Sequence, residues 1–261
     1  MNMFGAIIFE GLSFWQLALL LAAYALAFVI KGVFGYGAIL PMILMGSFVM
    51  PPHQAIILAG LVNLASQVVL VPDGLKYGNH CLAGRMILFI IPAVIVGVLM
   101  FRLLEPAALQ FTVGFLLLLI LLAEGAAWQK RVLPFVKARQ NFFSGAAALI
   151  AGLLSGLVGA GAMIFLSVYL HTVITERLAL RGTIILIVTA MLAWRMLLLV
   201  WADFLNWDIA LEALILLPVA VLFIQIGRTI AQRLSNDIFF RAYRIFMIFG
   251  SVGLMLRGAV Q

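Results

Sequence analysis

The chain has 261 residues, of which 66% are hydrophobic and 10% charged, with a mean hydropathy of +1.25 and a formal net charge of +7. Soluble domains carry about 25% charge, so this composition excludes an ordinary water-soluble fold and makes nearly the whole chain a membrane part. The excess of 16 Lys and Arg over 9 Asp and Glu is loop charge that sets topology and attracts anionic lipid, and no nucleic-acid partner is expected. Cys81 is the one cysteine, so an intrachain disulfide and a cysteine metal cluster are excluded, and neither cofactor nor metal is expected.

Ten apolar segments follow in chain order, at 12–31, 38–50, 54–71, 84–101, 107–127, 142–156, 162–173, 178–201, 208–226 and 239–256. The first has no basic region before it and no small-residue cleavage site after it, so it is expected to stay as a helix and not to be removed as a signal peptide. At about 1.5 Å per residue, 38–50, 142–156 and 162–173 are too short to cross about 30 Å of hydrocarbon. If every segment reverses the chain, one side collects thirteen basic residues, from Lys31 and Lys76 through Lys130, Arg131, Lys137 and Arg139 to Arg241 and Arg244. The other side receives Arg102, Arg257 and the acidic loop Asp203 to Asp208. The basic side is then cytoplasmic and both termini lie outside. Counting each short pair as one spanning helix would set Lys130 to Arg139 opposite Arg233 to Arg244, so re-entrant hairpins or ten segments are preferred.

The phrase G-x-x-G-x-G-A occurs twice, at Gly32, Gly35, Gly37, Ala38 and, 124 positions later, at Gly156, Gly159, Gly161, Ala162. Each copy is followed by a long apolar segment, a polar turn (Asp73 to Tyr77, Asp203 to Trp207), a segment with one proline (Pro92, Pro218) and a basic-flanked last segment. An odd number of segments per copy turns the second upside down. The fold class expected is an all-α polytopic membrane protein of two inverted-topology repeats, 1–128 and 142–261, each with a glycine-broken short helix pair, joined by a basic cytoplasmic linker at 129–141. Such repeats point to a secondary transporter with a midplane site. Broken backbone inside hydrocarbon is tolerated only where protein or a water-filled cavity satisfies it. Glycines let helix ends approach closely, and N-terminal amides favour an anion there. The competing explanation is that the glycines serve only close helix packing.

KGVFGYGAILPMIL (Lys31 to Leu44) and SGLVGAGAMIFLSVYL (Ser155 to Leu170), with Pro92 and Pro218 opening small-residue runs later in each half, resemble the TauE/SafE-type sulfite and organosulfonate exporters over nearly the full chain. Where that family favours consecutive glycines, Tyr36, Ala38, Ala160 and Ala162 stand here. The resemblance implies a multi-pass transporter of a bacterial plasma (inner) membrane, moving small sulfur-containing anions such as sulfite, sulfoacetate or other organosulfonates without a nucleotide-binding domain. A small anionic substrate and the lipid bilayer are the expected partners, and a homo-oligomer is compatible with them.

Substrate contacts are expected from Lys31, Gly32, Gly35, Tyr36, Gly37, Asn63, Gln67, Gly156, Gly159, Gly161, Thr183 and Arg195. Lys31 adjoins the first break, where it either faces an anion or snorkels to the surface. Arg195 lies inside a 24-residue apolar run, and it either pairs with Asp203 or Glu212 or offers a planar guanidinium to sulfonate oxygens. Asn63 and Gln67, four apart with Ser66 beside them, share one helix face, as interhelical glue or as lining. Arg181, with Gly182 and Thr183, opens the Arg195 segment, where Thr183 is either interfacial or offers its hydroxyl inward. No carboxylate stands in the middle of a segment, so a proton-coupling acid is not evident. An enzyme is not expected: there is no HExxH and no Walker loop, and Gly152 to Gly156 misses a serine-protease turn by one position. A permease or channel for another small anion is the alternative.

Overall fold

Proline and asparagine set many of the helix starts. Pro52 and Pro106 stand at the first positions of their helices, where a missing N–H costs nothing, and Asn79 caps a third by accepting from the Leu82 N–H at 3.0 Å. The computed structural model describes residues 9, 12–34, 38–124, 140–160, 162–230 and 236–260. Among them the protein is all helical: α1 (Phe14–Phe34), α2 (Ile39–Val49), α3 (Pro52–Gln67), α4 (Val71–Tyr77), α5 (His80–Leu103), α6 (Pro106–Glu124), α7 (Gln140–Val158), α8 (Ala162–Val173), α9 (Arg177–Trp201), α10 (Trp207–Ile230) and α11 (Asn236–Val260). Among the described residues four stretches are long and apolar enough to cross a membrane, Phe14–Gly32, His80–Leu103, Leu178–Trp201 and Trp207–Gly227, and a fifth is added if α3 and α4 count as one broken span.

Three expectations change here. The run at 54–71 breaks into a turn at Val68–Leu70, closed by the Leu70 N–H on the Gln67 carbonyl at 2.7 Å, because Pro72 has no N–H to continue the helix. The polar stretch Asp73 to Tyr77 is then not a turn but part of helix α4, with Pro72 and Asp73 in its first turn and Lys76 in its last. The segment at 142–156 lengthens to the 19 residues of α7. Of the linker at 129–141, residues 129–139 lie outside the described residues.

The chain divides into two compact units, each drawn from both sequence halves: Met1–Ser66 with Glu105–Leu118 and Ala202–Gln261, and Gln67–Leu104 with Leu119–Trp201. In the first unit α1 packs along α10. Their backbones meet at Gly227, where a Cβ would collide with the Val29 carbonyl and come within 2.9 Å of Gly32 Cα. In the second unit α5 packs along α7, and a Cβ on Gly97 would lie 2.7 Å from Gly156 Cα. In both units, a helix that enters a glycine break therefore lies backbone to backbone on the proline-containing helix of the other sequence half. Such contact needs residues without side chains. Gly97→Ala or Gly227→Ala is expected to lower stability by about 1–3 kcal/mol through overpacking, read as a drop in melting temperature in detergent.

Polarity is inverted relative to a protein built for water. Leu88 and Leu214 are 69% and 60% exposed, while Lys31, Gln67 and Arg195 are at most 4% exposed. An apolar outer surface of this kind suits lipid, and buried polar groups in such a surrounding are candidates for a functional site.

Candidate functional site

In the second unit, the site is built where α7 ends. The last carbonyls of a helix have no intrahelical N–H to accept, and the Gly156 carbonyl is taken by Arg195 Nε at 3.2 Å. Arg195 projects from α9, which Trp194 holds against α5 through an indole N–H donated to the Ile91 carbonyl at 3.3 Å. The guanidinium carbon sits 5.6 Å from the centroid of the Phe101 ring, a cation–π contact that covers the group. Arg195 is fully buried, and among the described residues its Nη1 and Nη2 have no hydrogen-bond partner.

Gly159 faces that same edge. Its φ is +81°, the left-handed region that glycine adopts without penalty. An added Cβ would lie 3.0 Å from Arg195 Nη1 and 3.2 Å from Cζ. The absent side chain is what lets the guanidinium lie against the backbone. The Gly159 N–H is already donated to the Ser155 carbonyl at 2.9 Å, so the amide does not serve as the anion donor expected there; the guanidinium has the free donors. Leaving a buried charged donor unsatisfied costs several kcal/mol unless an acceptor arrives. A planar edge of parallel N–H groups matches two oxygens of an oxyanion.

In the first unit, Lys31 lies near the end of α1 and is 3% exposed. It does not snorkel. Its Nζ donates to Asn63 Oδ1 at 2.7 Å, the Asn63 carbonyl at 3.2 Å and Ser66 Oγ at 2.6 Å, so all three ammonium donors are used to tie α1 to α3. No carboxylate pairs with Lys31 or Arg195 among the described residues; Glu212, one partner considered for Arg195, instead accepts from the Phe9 N–H at 2.9 Å.

The structure thus brings Lys31 to Asn63, and Gly156 and Gly159 to Arg195. Gly32 and Gly156 both face packing partners, Gly227 and Gly97, so these two glycines do the close packing considered as the competing explanation, while Gly159 faces the cation. Gln67 is buried with Oε1 unpartnered among the described residues. Thr183 departs from its expected role. Its hydroxyl accepts from the Asn79 N–H at 2.9 Å and donates to the Ala179 carbonyl at 2.6 Å. Twelve positions from Arg195 on one helix, it is about 18 Å away along the axis, beyond the reach of one small anion. Thr183→Val is expected to cost about 1–2 kcal/mol of stability by orphaning the Asn79 amide and to leave anion affinity unchanged, measured by melting temperature and ligand titration. Gly35, Tyr36, Gly37 and Gly161 lie outside the described residues. Sequence reasoning missed Phe101, for which no local signal exists, and Gly97 and Gly227, which were visible as single glycines following Pro92 and Pro218.

Residues 19–254 match the model of the family described as Sulfite exporter TauE/SafE, which is nearly the whole chain. Searches among curated proteins and among solved structures give no match.

Proposed function

Because this chain belongs to the sulfite exporter TauE/SafE family, a family of integral membrane transporters, we propose that it exports small sulfur-containing oxyanions such as sulfite, sulfoacetate or other organosulfonates. The anion is held on Nη1 and Nη2 of Arg195 beside Gly159. The observation that carries this is the pair of buried guanidinium nitrogens with no acceptor among the described residues, set against a glycine whose missing side chain opens that edge. A buried cation without a counter-charge raises the affinity of an anion that reaches it, since Coulomb attraction is far larger at low dielectric than in water. The duplicated halves, 1–128 and 142–261, alternate access to the anion, with the basic loops on the cytoplasmic side.

Reconstituted vesicles loaded with unlabelled sulfite test this directly. Uptake of labelled sulfite is expected to saturate, to be accelerated by sulfite or sulfoacetate on the opposite side, and to be lost in Arg195→Gln. Flux that neither saturates nor shows counterflow would make the protein a channel and overturn the carrier.

A further inference from the structure

Arg195 keeps its charge under all ordinary conditions, because a guanidinium is not deprotonated in proteins. Lys31 differs in kind. An amine has two chemical states, and the cage around Lys31 satisfies both. As an ammonium, Nζ donates to the Asn63 carbonyl, Asn63 Oδ1 and Ser66 Oγ, at 3.2, 2.7 and 2.6 Å, while the Ser66 hydroxyl donates to the Asn63 carbonyl at 2.7 Å. As a neutral amine, Nζ needs only two acceptors, which Asn63 supplies, and it offers a lone pair. The Ser66 hydroxyl, by rotating about its C–O bond, then donates to that lone pair in place of the Asn63 carbonyl. A hydroxyl is the one side-chain group at this place that donates or accepts as required.

Among the described residues no fixed carboxylate locks the ammonium in place. Among the described residues, α2 carries no titratable side chain. On α10 the acids are Asp208 and Glu212, and Glu212 stands fifteen positions before Gly227, the residue that meets α1 beside Lys31, or about 22 Å along the axis. On α3 the remaining titratable group is His53, stacked on Phe204 and ten positions from Asn63. On α1 itself Tyr24 lies two turns away, buried. The side chain of Arg228, next to Gly227, lies outside the described residues.

We propose that Lys31 is the proton-carrying site of the transporter, taking up one proton as an anion is bound and releasing it when the anion leaves. The step balances: the new N–H bond forms as an O–H bond of a hydronium ion breaks to leave water and the Ser66 hydroxyl turns back to the Asn63 carbonyl, and on release that N–H bond breaks and the proton returns to water as hydronium. In such a carrier, anion binding and protonation of Lys31 favour each other, and the linkage is reciprocal. The inference rests on the anion-carrier function proposed above.

The test is calorimetric titration of the purified full-length protein with sulfoacetate at neutral pH, where the ligand stays a dianion, in two buffers of different ionisation heat. The difference in heat counts protons. Wild type is expected to take up about one proton per anion, and Lys31→Arg to bind sulfoacetate with none. Ser66→Ala, a second variant that keeps the lysine, is expected to lower the melting temperature modestly through the lost bond to Nζ, to bind sulfoacetate and to show a clearly reduced count. An unchanged count in Lys31→Arg or in Ser66→Ala would overturn the proposal. Absence of binding heat from wild type in both buffers would overturn the carrier function together with it, and is distinguishable because no anion is then bound at all.

Discussion

Replacing Arg195 by methionine is expected to weaken sulfite or sulfoacetate binding by about 100- to 10,000-fold without weakening the ligand-free fold. Hydrogen bonds to a charged group contribute about 1.5–3 kcal/mol each, the guanidinium edge offers two, and each 1.4 kcal/mol is about tenfold in affinity. On the stability side, methionine of similar volume removes a buried charge whose two terminal nitrogens have no acceptor among the described residues. Such replacements are often neutral or stabilising. What is lost is the Nε bond to the Gly156 carbonyl, about 1 kcal/mol, and the contact with Phe101. A cation serving only structure would behave in the opposite way, destabilising when removed. Arg195→Lys keeps the charge but not the planar fork, so it is expected to fall between wild type and methionine. Binding of labelled ligand by the purified variants measures all three.

The second large effect is expected at Gly159. An alanine there must hold φ near +81°, at a cost of about 1–2 kcal/mol, and its methyl group would press on Arg195 Nη1 and Cζ from 3.0 and 3.2 Å. The guanidinium has the Phe101 ring over it, which leaves little room to withdraw. Displacing a binding group by a fraction of an ångström is enough to misplace a bidentate contact. Gly159→Ala is therefore expected to reduce transport about tenfold or more. Gly156→Ala makes a contrast. Its added carbon would lie 2.5 Å from the Val94 carbonyl and 2.8 Å from Gly97 Cα, so the damage falls on packing, about 1–3 kcal/mol of stability. Transport per folded molecule and melting temperature, measured on both variants, separate the two roles.

Much of this was legible in the sequence because hydrocarbon imposes few solutions. A run of apolar residues about 20 long is a helix that spans, and the segments at 162–173 and 178–201 agree with α8 and α9 to within a residue. The duplicated glycine phrase located both α1 and α7 endings. The division of labour among those glycines was not legible, because Gly156 and Gly159 look alike in sequence and differ in what faces them: α5 backbone in one case, a guanidinium in the other. Nor could spacing show that Lys31 is held inside by Asn63 and Ser66, since the three bonds join residues 32 to 35 positions apart. Asn63 and Gln67, four apart with Ser66 beside them, were visible as a polar stripe; that Lys31 is the partner of Asn63 and Ser66 was not. The short helix α4 was misread because Asp73 and Lys76 suggest a turn until Pro72 is recognised as a helix opener. Thr183 was misplaced for a related reason: facing inward says nothing of which neighbour takes the hydroxyl.

Arg195, buried and with Nη1 and Nη2 short of acceptors among the described residues, is proposed to receive the anion. Melting temperatures of wild type and Arg195→Met, each with and without saturating sulfite, test it most directly. Ligand that binds the folded state raises its stability by mass action, about 2.7 kcal/mol at 100 times Kd. Wild type is expected to rise with sulfite, and the variant to start at or above the ligand-free wild type and not to respond. A variant that melts well below wild type, or one that sulfite stabilises to the same extent, would contradict it.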